Sequence, residues 1–261
     1  IVDADMAIDA ADFAIVDDDG LSIQRIFFFN GKMFYSTGQT LRRSTMDFAT
    51  HEVIGALNGN QPPVFHVVNG KCLIATGSRL QQYDTTLAEI ADSPSLKWVN
   101  DRKGRTIGYN GDYLYYSRIG NAASWTHDTN DTSSGYKYDI GYQDGGEIVA
   151  VDNLSDVLVV YKSNGRAFAV VGEPPSVTIR EIAHGVDCLA AVSVRGKSYY
   201  AGKQGMHSII PTQQYDNMRP EPEGLAVNGL IIQQAPDAII MRHIPSRQQI
   251  WIGCGNTVYL Y

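Results

Sequence analysis

The chain has 261 residues, 44% of them hydrophobic and 19% charged, with a formal net charge of −7. That length and apolar content support a sizeable core, and 25 glycines with 10 prolines exclude a collagen-like or disordered composition. No apolar run approaches the roughly 20 residues that a membrane-spanning helix needs.

The charge sits at one end. Residues 1–24 hold seven aspartates (Asp3, Asp5, Asp9, Asp12, Asp17, Asp18 and Asp19) and no lysine or arginine. The remaining residues carry 21 acids against 21 bases and are neutral. Net charge therefore offers no basic stripe for holding nucleic acid. The chain begins at Ile1 without a methionine and reads as a piece of a longer protein. Within the acidic leader, Phe13-Ala14-Ile15-Val16 has the character of a short strand.

Beyond the leader a hairpin unit recurs. It is clear at Phe28–Gly38, around Asn30-Gly31; at Val67–Gly77, around Asn69-Gly70; and at Gly108–Ser117, around Asn110-Gly111. Looser copies follow at Leu154–Lys162, Val194–Gly202 and Pro245–Gly253. Each joins an apolar run to a second run rich in Tyr, Phe, Val and Ile through a tight polar turn. Asn-Gly is a strong hairpin signal because a type I′ turn needs positive φ at both central residues. A third short strand is expected at Gln39–Arg43, Ser78–Tyr83, Gly165–Val171, Gly205–Ile210 and Asn256–Tyr261. Helical signal is confined to a short turn over Tyr83–Ala91, where Leu87, Ile90 and Ala91 are suitably spaced.

From Gly31 through Gly70, Gly111, Asp156 and Gly196 to Arg247 the turns are 39, 41, 45, 40 and 51 residues apart. Those intervals match one four-stranded propeller blade. The pattern predicts an all-β fold: a six-bladed β-propeller of mostly four-stranded antiparallel blades, forming a single domain over 1–261. The blades fall near 21–60, 61–103, 104–146, 147–186, 187–233 and 234–261. The last lacks a fourth strand, which the N-terminal run at 13–16 is expected to supply, closing the ring and covering its edge.

No residue pattern nominates a catalytic centre, a metal site or a cofactor site. A glycosidase needs two carboxyl groups flanking the scissile bond. The expected first strands are Ser22–Phe29, Val64–Val68, Arg105–Tyr109, Glu147–Val151, Ala190–Val194 and Ala238–Arg242. They contain only Glu147, with Asp152 and Asp237 just outside. Ser117–Trp125 is similar to the sialidase Asp-box but lacks its Asp. His51, His66, His127, His184, His207 and His243 come singly, and Cys72, Cys188 and Cys254 are far apart, so no zinc spacing arises. Free, half-buried strand cysteines are expected. Asp128-Thr129-Asn130-Asp131 departs from the calcium-loop spacing and reads as an Asx-rich turn. Trp125, Tyr136 and Tyr138 are candidates for a contact loop, because aromatics anchor interfaces, or for packing between blades.

One stretch carries a resemblance. Leu114–Trp125, Tyr136–Gly141, Asp144–Val151, Asp156–Ser163, Ala167–Gly172 and Gly185, with Gly196–His207 beyond, together resemble the β-propeller structural proteins of tailed bacteriophages and prophages. The resemblance covers mainly residues 108–210. It implies a non-enzymatic structural and assembly module of a phage tail or head–tail connector, hub or nozzle. Such a module is made in the bacterial cytoplasm and resides in the virion. Its implied partners are further copies of itself or other tail and portal proteins, ringed around a DNA conduit. A neutral or acidic lining would let DNA pass without capture. Two other readings stay open: a propeller enzyme acting on glycosides at the channel mouth, and a surface propeller that binds carbohydrate or protein.

Overall fold

The computed structural model describes residues 23–47, 49–154, 156–209, 220–223, 225–234, 239–254 and 257–261. The strand-like run at 13–16 and its expected closing role lie outside these residues, as do Ser22, Asp237 and Ala238. Among the described residues the fold is six antiparallel sheets taken in chain order, the blades of a β-propeller, with one helix.

The first blade consists of β1 (Ile23–Phe29), β2 (Lys32–Thr37), β3 (Thr40–Ser44) and β4 (His51–Ala56). The second has β5 (Val64–Val68), β6 (Lys71–Ala75), β7 (Gln81–Tyr83) and β8 (Leu87–Glu89). In the third are β9 (Trp98–Arg102), β10 (Arg105–Asn110), β11 (Tyr113–Tyr116) and β12 (Tyr136–Asp139). The fourth contains β13 (Ile148–Asn153), β14 (Val157–Lys162), β15 (Arg166–Glu173) and β16 (Ser176–His184). The fifth follows with β17 (Ala190–Val194), β18 (Lys197–Gly202), β19 (Gly205–Ile209) and β20 (Pro220–Pro222). After α1 (Leu225–Gln234), the sixth sheet has three strands, β21 (Ile239–Ile244), β22 (Gln249–Cys254) and β23 (Thr257–Leu260). The chain divides into two compact units, one up to Asp101 and one from Arg102, each described by itself.

Turn chemistry accounts for the hairpins. Asn30-Gly31 and Asn69-Gly70 both have positive φ at each central residue, as a type I′ turn requires. Asn110-Gly111 differs from the expectation. Asn110 pairs with Tyr113, so the central residues are Gly111 and Asp112, and only Gly111 has positive φ. That is the type II′ arrangement, and it joins the second and third strands of its blade. The first hairpin of the third blade turns instead at Lys103-Gly104, with φ of 45° and 79°. The blade therefore starts at Trp98 rather than near 104, and Arg105–Tyr109 lies on its second strand.

Two further expectations are corrected. Tyr83–Ala91 is not helical: it ends β7, turns, and forms β8, because pairing with β7 outweighs a weak helical spacing. The helix lies at α1, a run of apolar residues with no clear amphipathic stripe. It is docked by Asn228, whose side chain accepts from the Met206 N–H at 2.7 Å and donates to the Met206 carbonyl at 3.3 Å. Asn228 thereby caps β19 at Met206, just beyond its pairing with β20. A Cβ on Gly205 would stand 2.7 Å from Asn228 Cγ, so the approach requires glycine there.

In the first unit β1 packs beside β5, and Phe27 stacks on Phe65 at 5.4 Å. Phe34, Leu41, Cys72, Ile74 and Tyr83 are buried together between its two blades. In the second unit β13, β17 and β21 pack side by side. One core there joins the fourth blade to the fifth through Val159, Tyr161, Cys188 and Tyr200. Another joins the fifth to the sixth through Met206, Ile231, Ile239 and Ile252. The three cysteines are buried and free, with Cys188 just ahead of β17 rather than on a strand.

Polar side chains tie these boundaries. Lys162, with no exposed side-chain surface, donates to the Ile140 carbonyl and to Asp144 Oδ1 from the loop that precedes its blade. Burial acts to raise Asp144, but hydrogen bonds from Lys162 and the Gly146 N–H outweigh it and hold the carboxyl below its ordinary range. Between the fourth and fifth blades, the Tyr161 hydroxyl meets Ser198 Oγ at 2.7 Å. Asp152 takes hydrogen bonds from Ser198 and Ser193 in the same seam. It lies on β13 itself, not outside the strand, and burial pushes its carboxyl up to about 6. At the fifth and sixth blades, Glu223 accepts from Tyr261 and Ser208, both at 2.9 Å.

Two outcomes follow. Lys162→Met leaves the buried Asp144 carboxylate with only the longer contact to Arg166 at 3.5 Å, and should cost up to about 3–5 kcal/mol in chemical denaturation, more than the Lys162→Met/Asp144→Leu pair. Asp152 behaves oppositely to an ion-paired carboxylate: its folded value lies above its unfolded one. Its contribution is full below the ordinary carboxylate range and is lost as pH rises through about 6. Asp152→Asn should therefore raise stability at neutral pH by up to about 3 kcal/mol and change it little near pH 4, read from melts across that range.

Candidate functional site

The segment between β11 and β12 is the longest described connection within a blade, and it carries the aromatic residues singled out in the sequence. It folds back on itself. Arg118 N–H donates to the Ser124 carbonyl at 2.7 Å, Ile119 N–H to Ser133 at 2.9 Å, and Gly135 N–H to Thr126 at 3.0 Å. Asp128–Asp131 is an Asx-rich turn, as expected: Asp128 Oδ1 accepts from Asn130 N–H at 2.9 Å, and Asp131 Oδ1 from Ser133 N–H at 2.8 Å. Arg118 pairs with Asp131 at 2.8 Å across the loop.

A buried arginine holds this loop from below. Arg105 Nη1 donates to the carbonyls of Ser117, Ser133 and Ser134 at 2.6, 3.1 and 2.5 Å. Its Nη2 donates to Thr132 at 2.8 Å. Desolvation lowers its pKa from the ordinary arginine value, so four carbonyl acceptors take the place of water around a charge that stays on. Its guanidinium also lies 5.4 Å from the Tyr136 ring centroid.

The three candidate contact residues are placed differently from one another. Trp125 is buried at the loop's base, and its indole N–H donates to the Ala122 carbonyl at 2.9 Å. Gly135 lies so close beneath it that a Cβ there would come within 2.0 Å of the Trp125 carbonyl oxygen. Trp125 therefore shapes the loop from inside. Tyr136 and Tyr138, two apart on β12, stack at 6.2 Å on one half-buried face. Tyr116 meets Tyr138 edge-on at 5.8 Å, and His127 lies 4.6 Å from Tyr136. Among the residues the loop presents to solvent are Ile119, Asn121, His127 and the Asp128–Asn130 turn.

The same face of the third blade meets the fourth. The Tyr138 hydroxyl donates to the Pro175 carbonyl at 3.3 Å, and Tyr109 to Val149 at 2.8 Å. Arg102, almost wholly buried, donates to Glu173 Oε1, Asn153 Oδ1 and the Leu154 carbonyl, each at 2.8 Å. Sequence reasoning missed Arg102 and Arg105. They flank a Lys103-Gly104 turn and look like ordinary hairpin charges, and no local signal marks them as buried.

The other sequence candidates are dispersed. Glu147 stands just before β13 and is exposed. His51 is bonded to the Tyr35 hydroxyl at 2.8 Å, His66 to Asp101 at 2.6 Å, and His184 to Glu181 at 2.8 Å. Among the described residues no group of three His, Cys, Asp or Glu side chains converges as a metal site would.

If Arg105 is the loop's clamp, Arg105→Met should release it. Amide exchange over 117–135 should rise by at least tenfold, a loss of roughly 1.4 kcal/mol or more in local protection, while β14 and β15 keep theirs.

No protein-family description matches the sequence, and no curated protein does. Solved structures do. The computationally designed Ika8 protein aligns with a TM-score of 0.59 and 11% identity over 92% of this chain and 70% of its own. The extracellular domain of the hybrid two-component system BT4673 from B. thetaiotaomicron gives 0.63 and 10%, over 95% of this chain. This chain spans about a third of that domain, 33%. The Pan2 WD40 domain of Neurospora crassa gives 0.58 and 8%, over 91% of this chain and 74% of its own. None of these three is a phage protein, and at 8–11% identity the likeness shows the propeller fold alone.

Proposed function

We propose that this propeller is a structural interaction module, a rigid scaffold that presents its loops to protein partners. The setting is the one its sequence resemblance implies, a phage tail or head–tail connector assembled as a ring around a DNA conduit. The observation that carries this reading is how the buried cations of the third and fourth blades are used. Arg102, Arg105 and Lys162 direct their donors to carbonyls and carboxylates that hold loops and blade boundaries in place. Such wiring serves shape, and a module whose work is to hold partners at fixed positions depends on shape. The neutral body of the chain accords with a lining that DNA slides past. On this reading the 117–135 loop is a contact surface, with Trp125 and Arg105 keeping it in one conformation and Ile119 at its exposed crest.

Native mass spectrometry and electron microscopy of the purified chain test the reading. Expected is a closed ring of copies, or a defined complex with tail or portal proteins, that Ile119→Asp weakens without loss of fold. A chain that stays monomeric and turns over a glycoside, with turnover abolished by Glu147→Gln, would overturn it in favour of a propeller enzyme.

A further inference from the structure

A cleft of about 400 Å³ opens in the first unit, where β3 and β4 meet the turn between β7 and β8. One wall is a closed polar set: Arg43 donates to the Tyr83 hydroxyl at 2.8 Å and pairs with Glu52. The opposite rim is the Asp84-Thr85-Thr86 turn, which contributes a carboxylate and two hydroxyls that are exposed and make no side-chain bond to other described residues. Ile54 and Leu87, both part of the first unit's apolar packing, supply an apolar side. Exposed acceptors and donors without side-chain partners thus line a concave surface.

The chemistry of the lining selects a ligand class. Arg43 is neutralised by Glu52, which leaves Asp84 as the net charge of the cleft, so an anion is repelled. Asp84, Thr85 and Thr86 offer an acceptor and two groups that both donate and accept, the complement of a row of ligand hydroxyls. An apolar flank beside such a row suits a molecule with one C–H face and one hydroxyl edge. The volume falls at the small end of the roughly 300–1,000 Å³ range of small-molecule pockets. We propose that this cleft binds a neutral saccharide of one or two rings, with Asp84 and Thr86 accepting from its hydroxyls and Ile54 and Leu87 against its ring face. The inference stands on the first unit's own geometry and is independent of the assembly role proposed above.

The test is a titration of the whole chain with a panel of neutral mono- and disaccharides, followed through the amide resonances of Glu52–Ile54 and Tyr83–Leu87. Expected is a saturable shift of both segments at millimolar sugar or tighter. Asp84→Ala, a change on an exposed turn, should weaken it roughly tenfold or more, as for loss of a charge-assisted hydrogen bond. Thr86→Val should weaken it less, and Lys71→Ala on the neighbouring strand should leave it unchanged. Panel members that shift neither segment, or shifts that persist in Asp84→Ala, overturn the proposal. So does a response to a lysine-rich peptide alone, which would make the cleft a cation site.

Discussion

The structure depends on a constraint that each blade imposes on the next: a sheet with two apolar faces must be held at a fixed angle to its neighbour. Hydrophobic burial supplies the attraction, but it is non-directional and sets no angle. Direction comes from a few charged side chains that cross a boundary. Lys162 is the fullest case. It leaves β14, reaches the loop ahead of its own blade, and binds the Ile140 carbonyl and Asp144 with none of its side chain exposed. Each contact relies on the others, since a buried ammonium without its acceptors would be strongly disfavoured.

The same logic recurs in different chemistry. Arg102 carries a buried guanidinium to Glu173, Asn153 and Leu154, joining the third blade to the fourth. Asp152 and Tyr161 join the fourth to the fifth through Ser193 and Ser198, with a carboxyl kept closer to its neutral form by burial. Glu223 joins the fifth to Tyr261 of the sixth and is held below its ordinary value, because the hydrogen bonds from Tyr261 and Ser208 outweigh the opposing effect of burial. Acidic conditions therefore act on these seams in opposite senses. Protonation relaxes Glu223 and Asp144, while Asp152 is better tolerated protonated.

Much of the architecture was legible in residue order. Two Asn-Gly turns of the expected type, the alternation of Tyr, Val and Ile, and the blade-sized spacing all act within a few residues or through a simple period, so a linear reading reaches them. The third blade shows where such reading slips. Asn110-Gly111 has the residues of a type I′ turn, yet pairing of Asn110 with Tyr113 moves the turn by one residue and changes its type. Register is a property of two strands, and one strand's sequence does not contain it. Tyr136 and Tyr138, expected in a contact loop or packed between blades, lie two apart on β12 and therefore share a side. That Trp125 lies inside the loop was not legible, since it follows from the loop's closure, which brings Gly135, ten residues away, against the Trp125 backbone.

The sequence by itself determined the class of fold: six repeats of strand, polar turn and aromatic-rich strand, with the acidity gathered in the leader and the body electrically neutral. Those are local and additive properties, set by turn conformations, side-chain alternation and a count of charges. Tertiary structure alone decided which charges matter. Arg102 and Arg105, on either side of the Lys103-Gly104 turn, are buried clamps; Lys162, at the end of β14, is a joint; Asp84, within the stretch expected to turn helically, is the rim of a cleft. The physical reason is that the effect of a charge depends on its distance from other charges and from water, and both distances exist only once the blades are packed.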